Sequence, residues 1–219
     1  MDTGKKRIAI FASGKGTNAA NIIMSSPPTL RREDLQNRLK ERNNILVKEN
    51  LEDRIEGRNY DVCLIVCNKP GAGVLNIAKK NNIPSILIEK EKFFTGDGYM
   101  PEMKEYNIDL VVLAGFLWKI PLSLIHHYPK KIINIHPALL PKYGGRGMYG
   151  HHVHQAVINA GEKESGITIH FVDEVYDHGQ IIMQATCPLM KDDTADTLAY
   201  RIHQLEYRHF PAAIELVCG

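Results

Sequence analysis

The chain has 219 residues, a length that suits one α/β domain of moderate size or two small ones. Its composition, 44% hydrophobic and 24% charged, is ordinary for a globular protein with a core of its own. The formal net charge of +2 is close to balance, which disfavours nucleic acid or an anionic membrane surface as a partner. The sequence contains no apolar run of the length that a membrane-spanning helix requires.

Short β-branched runs alternate with helical patterns along most of the chain. We predict strands over residues 7–13, 61–68, 84–90, 109–116 and 131–137, each a nearly continuous apolar run. Such runs are typical of parallel strands whose two faces are both covered by helices. The alternation therefore predicts an α/β fold with a doubly wound, mostly parallel sheet of the Rossmann-like kind.

The four cysteines, Cys63, Cys67, Cys187 and Cys218, have neither the spacing of a zinc site nor that of a disulfide framework. We therefore expect reduced thiols in a cytoplasmic protein without a bound metal. Cys63 and Cys67 fall in one predicted strand, where their even spacing predicts side chains on the same face.

The pattern changes towards the C-terminus. Residues 167–174 and 180–189 are predicted strands joined by the turn-favouring Val-Tyr-Asp-His-Gly, which indicates an antiparallel addition at the sheet edge. A long final helix follows over 192–217, and Pro211 is expected to bend or interrupt it because proline lacks the helical N–H donor. The candidate caps at the start of this helix are Asp192, Asp193 and Thr194.

Residues 25–58 are highly charged and show no clear hydrophobic face. We interpret them as an atypical charged excursion within a single domain that covers residues 1–219.

The first candidate site is the segment from Ser13 to Asn18, which directly follows the first predicted strand. In parallel α/β folds ligands bind beyond the carboxyl ends of strands. Glycines let the backbone approach an anion, and the free N–H groups at the following helix start attract negative charge. Gly14, Gly16 and Ala19 also fit a loose dinucleotide fingerprint, although no suitable acidic residue follows. A phosphate site and a simple strand-to-helix turn both remain open from this segment alone.

The second candidate site combines Asn134, His136 and Asp177. Strand alternation places Asn134 and His136 on one face at a strand's carboxyl end, and Pro137 then prevents easy continuation of the strand. An amide N–H beside an imidazole suits an oxygen that gains negative charge, as in acyl transfer. Asp177 lies in the predicted turn, and its carboxylate could orient the imidazole and help to move a proton.

Five motifs carry a resemblance to a known family. They are IAIFASGKGTN, DLVVLAGFLWKIP, NIHPALLPKYGG, ESGITIHFVDEVYDHGQIIMQ and LEYRHFP, in this order. Together they resemble the glycinamide ribonucleotide formyltransferases of purine biosynthesis, members of the folate-dependent formyltransferase superfamily. The resemblance covers nearly the whole chain apart from about residues 25–58.

The resemblance implies a reaction in which the amine of glycinamide ribonucleotide takes the formyl group of 10-formyltetrahydrofolate, without a metal. It implies that Asn134 and His136 hold the oxyanion, while Asp177 holds His136 and assists proton transfer to the leaving folate nitrogen. By the same resemblance, the ribonucleotide site would include Gly14, Lys15, Gly16, Thr17, Asn18, Pro137, His203 and Glu206. The folate pocket would include Leu113, Ala114, Gly115, Phe116, Leu117, Trp118 and Lys119.

The same scaffold leaves other activities open, namely a formyltetrahydrofolate hydrolase or a formyltransferase for another amine. The near-neutral charge disfavours methionyl-tRNA as that acceptor. The glycine fingerprint leaves a nicotinamide-nucleotide-binding protein as a more distant alternative. We expect small-molecule partners only, neither nucleic acid nor membrane, and a monomer or homodimer.

Residues 143–150 are rich in glycine, and we interpret them as a flexible flap beside the predicted catalytic pair. His151, His152 and His154 follow this segment. We expect them on a helix surface rather than at a metal, because no third ligand has suitable spacing. His170 is expected either near the catalytic pair or as a hydrogen-bonded core histidine.

Overall fold

The structure is a computed structural model that describes residues 4–25, 58–95 and 97–219. The predicted charged excursion at about 25–58 lies almost wholly outside the described residues. The strands β1 to β7 are, in chain order, Lys6–Ala12, Tyr60–Cys67, Ser85–Leu87, Leu110–Leu113, Ile132–His136, Glu164–Phe171 and Ile181–Pro188. The described helices α1 to α7 are Thr17–Met24, Gly73–Lys80, Lys90–Phe94, Met100–Glu105, Leu122–His127, His151–Asn159 and Ala195–Cys218.

The strands form one sheet in the order β3-β2-β1-β4-β5-β6-β7. The first five strands pair in parallel, while β6 and β7 are antiparallel to their neighbours. This confirms the predicted doubly wound sheet with an antiparallel C-terminal addition. The strand order reverses between β1 and β4, and in such sheets the crevice at the reversal is where ligands bind.

Both faces of the sheet are buried under helices, as the continuous apolar strands predict. Along β1, Ile8 and Ile10 enter one core while Ala9 and Phe11 enter the other. Helices α1, α2, α6 and α7 contribute to the first core, and α3, α4 and α5 contribute to the second. The apolar burial on both sides holds the strand ends in place, and those ends carry the candidate sites.

The prediction that Cys63 and Cys67 share a face is wrong. Strand β2 shifts its register against β1, so that Ile8 pairs with Val62 and the next residue, Ala9, pairs with Leu64. Cys63 is the extra residue of this bulge, and a bulge reverses the side-chain alternation beyond it. Cys63 consequently packs against the second core and Cys67 belongs to the first.

The third strand is shorter than the predicted run over 84–90. Its pairing with β2 ends at Leu87, and α3 begins at Lys90. The apolar pattern extends further because Ile88 is buried in the second core even though it follows the strand. An apolar run by itself does not separate a buried strand from the buried connection after it.

Helix α7 runs without a break through Pro211, so the expected interruption does not occur. Proline cannot donate to the carbonyl four residues before it, which is that of Tyr207. The side-chain amide of Asn21 donates to this carbonyl instead, at 2.7 Å. At the other end of α7, Thr194 is the cap, and its hydroxyl accepts from the backbone N–H of Thr197 at 3.2 Å.

Candidate active site

Strand β5 presents two of the predicted catalytic residues at its carboxyl end. Asn134 and His136 are two positions apart in β5, opposite His170 and Thr168 of the antiparallel strand β6. Residues in direct cross-strand register point to the same side of the sheet. The Asn134 amide nitrogen accordingly lies 3.1 Å from Nε2 of His170, and the His136 side chain is buried beside them.

Asp177 reaches the two histidines from the turn between β6 and β7. One of its carboxylate oxygens, Oδ2, lies 3.5 Å from Nδ1 of His136, and the other lies 3.6 Å from Nε2 of His170. The backbone N–H of Gly145 donates to Oδ2 at 2.8 Å. The structure therefore brings together Asn134, His136 and Asp177 as predicted, and His170 lies beside them.

The turn that carries Asp177 has little freedom to change. Asp177 itself has a positive φ of 54°, a conformation that aspartate tolerates better than most residues. At Gly179 an added Cβ would lie 1.9 Å from the carbonyl oxygen of Phe171, so only glycine fits. Together these two positions fix the direction of the carboxylate.

The charge state of the site follows from burial and pairing. Burial lowers the pKa of His136, while the Asp177 carboxylate acts in the opposite direction. Burial acts to raise the pKa of Asp177, but hydrogen bonding with His170, the charge of His136 and the Gly145 N–H together hold this pKa below its ordinary value. The site thus combines an ionised carboxylate with an imidazole that is neutral at pH 7.

The residues that follow His136 fold back, so that Tyr143 contacts the His136 ring. Nε2 of His136 donates to the backbone carbonyl of Tyr143 at 2.8 Å, since a carbonyl can only accept. Thr168 fixes the intervening loop, because its hydroxyl accepts from Leu140 N–H at 2.9 Å and donates to the Ala138 carbonyl at 2.7 Å. Gln184 adds a bond of 3.0 Å to the Leu140 carbonyl. Residues of β6 and β7 therefore position the imidazole through this loop.

The predicted phosphate segment lies at the end of β1, next to the residues that follow β4. The Ser13 hydroxyl accepts from Leu117 N–H at 2.9 Å, and Ser13 N–H donates to the Gly115 carbonyl at 3.1 Å. Gly16 has a φ of 78°, and a Cβ there would lie 2.7 Å from Cβ of Val74. In the part of the chain that the structure describes, no side chain caps the first turn of α1, which leaves its N–H groups available to an anion.

Helix α7 faces this segment with two polar residues. Glu206, 5% exposed, accepts from the Asn18 amide at 2.9 Å and lies 2.9 Å from Nδ1 of His203. The hydrogen bond to Glu206 raises the pKa of His203, and nearby Lys15 acts in the opposite direction. The carbonyl oxygen of the Asn18 side chain is buried and has no hydrogen-bond partner among the described residues. The structure thus groups Lys15, Asn18, His203 and Glu206, all predicted for one ligand.

The predicted folate segment, residues 113–119, leaves β4 beside the Ser13 loop. Leu117 is 57% exposed, and the exposed apolar residues Val175 and Tyr176 lie just before Asp177 in the opposite turn. The Lys119 ammonium lies 5.6 Å from the centre of the Tyr176 ring, so the two segments approach each other. Exposed apolar side chains on two facing loops suit a flat aromatic ligand.

The prediction that His154 lies on a helix surface with its neighbours is wrong. This side chain is 3% exposed, on the inner face of α6. Burial lowers its pKa to about 4, and its electrostatic neighbours include Glu206, His203 and His136. Its Nδ1 has no hydrogen-bond partner within residues 4–25, 58–95 and 97–219. The apolar residues Val153 and Val157 flank it on the same helix, and this periodicity was the available signal.

Two further features lie around the site. A cavity of about 260 Å³ adjoins Tyr143, and its lining includes none of the residues predicted to bind substrate or folate. Within the described residues, no group of three or more histidine, cysteine, aspartate or glutamate side chains is arranged to hold a metal ion. Over the same residues, no helix combines the length and apolar character of a membrane span.

The sequence profile described as formyl transferase matches residues 42–214. The chain belongs to the formyl transferase family. A Bacillus subtilis protein named phosphoribosylglycinamide formyltransferase is 33% identical over 98% of this chain and 95% of its own length. The chloroplastic protein of that name from Arabidopsis thaliana is 36% identical over 98% of this chain, which spans 66% of the plant protein. The crystal structure of the Bacillus halodurans enzyme of that name has a TM-score of 0.74 at 33% identity, covering 96% of this chain and 94% of that one.

Proposed function

We propose that this protein transfers the formyl group of 10-formyltetrahydrofolate to the amine of glycinamide ribonucleotide. The observation that carries the proposal is the meeting of Asn134, His136 and Asp177 at the carboxyl end of β5. Family membership and the names of the relatives support this choice of substrates. The sheet places this group near the strand reversal, where the Ser13 and Leu117 segments are joined.

The proposed reaction is an acyl transfer. The lone pair of the substrate amine attacks the formyl carbon, and the carbonyl electron pair moves onto oxygen. The Asn134 amide N–H donates to this oxyanion, and such a donor typically contributes about 10²–10³ in rate. The His136 ring stabilises the oxyanion by its positive charge once it has taken up the proton that the amine loses. When the oxyanion collapses, the bond between the formyl carbon and the folate nitrogen breaks, and that nitrogen takes the proton which the amine loses.

Asp177 has two roles in this proposal. Its ionised carboxylate, 3.5 Å from Nδ1 of His136, stabilises the ring while the ring carries the proton that the amine loses. A water molecule held by Asp177 would complete the path of this proton to the folate nitrogen. The lowered pKa of Asp177 supports both roles, because the carboxylate is then charged at pH 7.

The ribonucleotide would span the segment between α1 and α7. Its phosphate would bind the uncapped first turn of α1 and the residues Gly14, Lys15, Gly16, Thr17 and Asn18. Its glycinamide end would meet Glu206, with His203 and Pro137 beside it. The buried and unpartnered Asn18 side-chain oxygen supports this placement, because a buried acceptor without a donor is unfavourable.

The folate would occupy the space between residues 113–119 and the turn before Asp177. Trp118 is the only tryptophan in the chain and packs near Phe93, Phe94 and Phe116. Quenching of its fluorescence by a folate analogue would therefore report this site alone. Saturable quenching is the expected result, and no change at saturating analogue would contradict the placement.

An ultraviolet assay of formyl-folate consumption, run with and without glycinamide ribonucleotide, tests the activity. We expect consumption only when the ribonucleotide is present. Consumption at the same rate without it would indicate a hydrolase, and consumption with a different amine would indicate another acceptor. Titration with NADH tests the alternative of a nicotinamide-nucleotide-binding protein, and we expect no saturable binding of NADH.

We further infer that the protein acts on small molecules in the cytoplasm, as a monomer or homodimer, and without a metal. Its near-balanced charge and reduced cysteines support this inference. Addition of a chelator should leave formyl transfer unchanged.

A further inference from the structure

Two asparagine side chains of α1 contact two consecutive residues of α7. Asn18 donates to the Glu206 carboxylate at 2.9 Å, and Asn21 donates to the Tyr207 backbone carbonyl at 2.7 Å. Asn18 and Asn21 are three residues apart and so lie on one face of α1. The two helices are therefore joined at two adjacent points, one of which is the carboxylate that faces the predicted ribonucleotide site.

The Tyr207 carbonyl is available only because Pro211 follows four residues later. In an uninterrupted helix this carbonyl accepts from the N–H at position 211, which proline lacks. A buried carbonyl without a donor costs roughly as much as a lost hydrogen bond. Asn21 supplies the missing donor, so that α7 continues as a helix and is tied to α1 at the same point.

We propose that Asn21 is a positioning residue for the ribonucleotide site. Its amide replaces the N–H that Pro211 lacks and sets the position of α7 against α1, which directs the Glu206 carboxylate into the site. Neither Asn21 nor Pro211 contacts the predicted catalytic group, and the effect reaches substrate through Glu206 and Asn18. The inference rests on the proposed function, because it assumes that the ribonucleotide binds between these helices.

The hydrogen bond between Asn21 and Tyr207 affects the ribonucleotide site and not the folate site. The folate segment follows β4, and Leu117 N–H donates to the Ser13 hydroxyl at 2.9 Å. Loss of the Asn21 bond therefore changes the position of Glu206 and leaves the folate segment in place. A residue that only stabilises the fold would have no such preference between the two substrates.

A double-mutant cycle with Asn21→Ala and Pro211→Ala tests the proposal, with kcat and both KM values measured for each variant. Asn21→Ala is expected to raise the KM for the ribonucleotide severalfold, up to about tenfold if the whole contribution of one hydrogen bond is transmitted to the site. The KM for the formyl folate and kcat should stay within about twofold. In the double variant the Pro211→Ala change restores a backbone N–H at position 211. This N–H satisfies the Tyr207 carbonyl within α7, but the bond between α1 and α7 is still absent, so the ribonucleotide KM should stay raised.

Asn81→Ala is the matched control. The Asn81 amide also donates to a helical backbone carbonyl, that of Ile77 at 2.9 Å, but it is exposed and lies at the end of α2. This variant should leave every kinetic constant unchanged. If Asn21→Ala does not fold, Asn21→Leu nearly keeps the volume and removes the donor without adding a charge, and it takes the same place in the cycle.

The outcomes separate this inference from the proposed function. Calorimetric titration of the wild type with glycinamide ribonucleotide alone tests the function, and absence of binding overturns both proposals. Wild-type binding with an unchanged ribonucleotide KM in Asn21→Ala overturns the positioning role only. A parallel rise in the KM for folate, or recovery of the ribonucleotide KM in the double variant, also overturns it.

Discussion

His136 and Asp177 approach to 3.5 Å between Nδ1 and Oδ2, although one ends a central strand and the other lies in the turn between two antiparallel strands. The other ring nitrogen of His136 donates to the Tyr143 carbonyl, so both nitrogens face acceptors. Two acceptors favour a ring that gains a proton, while burial disfavours it. Because burial outweighs the two acceptors, the imidazole is neutral before substrate binds. The acceptors then stabilise the ring when it takes up a proton beside the oxyanion.

Replacement of Asp177 by asparagine should reduce kcat for formyl transfer by about 10² or more, because the neutral amide cannot stabilise charge on His136. The amide keeps an oxygen for the Gly145 N–H, so the unfolding free energy should change little. Asp173→Asn is the control in the same loop, since its carboxylate is hydrogen-bonded to the exposed His178 and to the backbone N–H of Val175. Steady-state kinetics with near-wild-type kcat for Asp177→Asn would remove this residue from the mechanism.

The KM for glycinamide ribonucleotide should rise as the pH is raised through the pKa of His203, which lies above the ordinary histidine value of about 6.5, because His203 then loses its positive charge. Its hydrogen bond to Glu206 raises its pKa above the ordinary value, so the charged form persists to higher pH than for a free histidine. His203→Lys should hold the KM nearly constant over the same pH range. A wild-type KM that does not depend on pH would show that the imidazolium makes no contact with the ribonucleotide.

Gly16→Ala should destabilise the protein by roughly 1–3 kcal/mol and weaken ribonucleotide binding. The added Cβ would meet Val74 at 2.7 Å, and the φ of 78° suits glycine. Gly14→Ala is the control for stability, since a Cβ there meets nothing within 4 Å. The midpoint of urea unfolding should therefore be lower for Gly16→Ala than for Gly14→Ala. Equal midpoints for the two variants would contradict the close approach of the Gly16 turn to α2.

The protein should lose stability as the pH falls from about 6.5 towards 4, before most carboxylates are protonated. Burial lowers the pKa of His154 and of His209 to about 4 in the folded protein. The unfolded chain therefore binds these protons first, and each histidine removes up to about 1.4 kcal/mol per pH unit in this range. His209→Gln should flatten the dependence measured by urea unfolding at several pH values. An unchanged slope in that variant would exclude His209 as a contributor.

The sequence predicted the parts of the site that depend on local pattern. Asn134 and His136 could be placed together because a strand alternates its side chains, and Pro137 marked the strand end. The glycine spacing in residues 14–16 indicated a tight strand-to-helix turn, and the structure shows a positive φ at Gly16. The turn that carries Asp177 was predicted to lie near this pair, and the resemblance to a family supported the same grouping.

Other features depend on contacts between distant segments. The bulge at Cys63 changes which core Cys67 enters, and nothing in the apolar run of β2 indicates where the register shifts. His154 is buried by the packing of α6, although its neighbours His151 and His152 are exposed. Pro211 lies within a continuous helix because Asn21, far away in the chain, takes the carbonyl that proline leaves free.

The sequence alone determined the order of strands and helices, the apolar character of both sheet faces and the residue types at each strand end, because these follow from backbone periodicity and side-chain transfer free energy. Only the tertiary structure decided which strand ends are neighbours, how far His136 lies from Asp177 and what satisfies the Tyr207 carbonyl. Those distances depend on the packing of helices over a twisted sheet, where each contact is set by many residues at once.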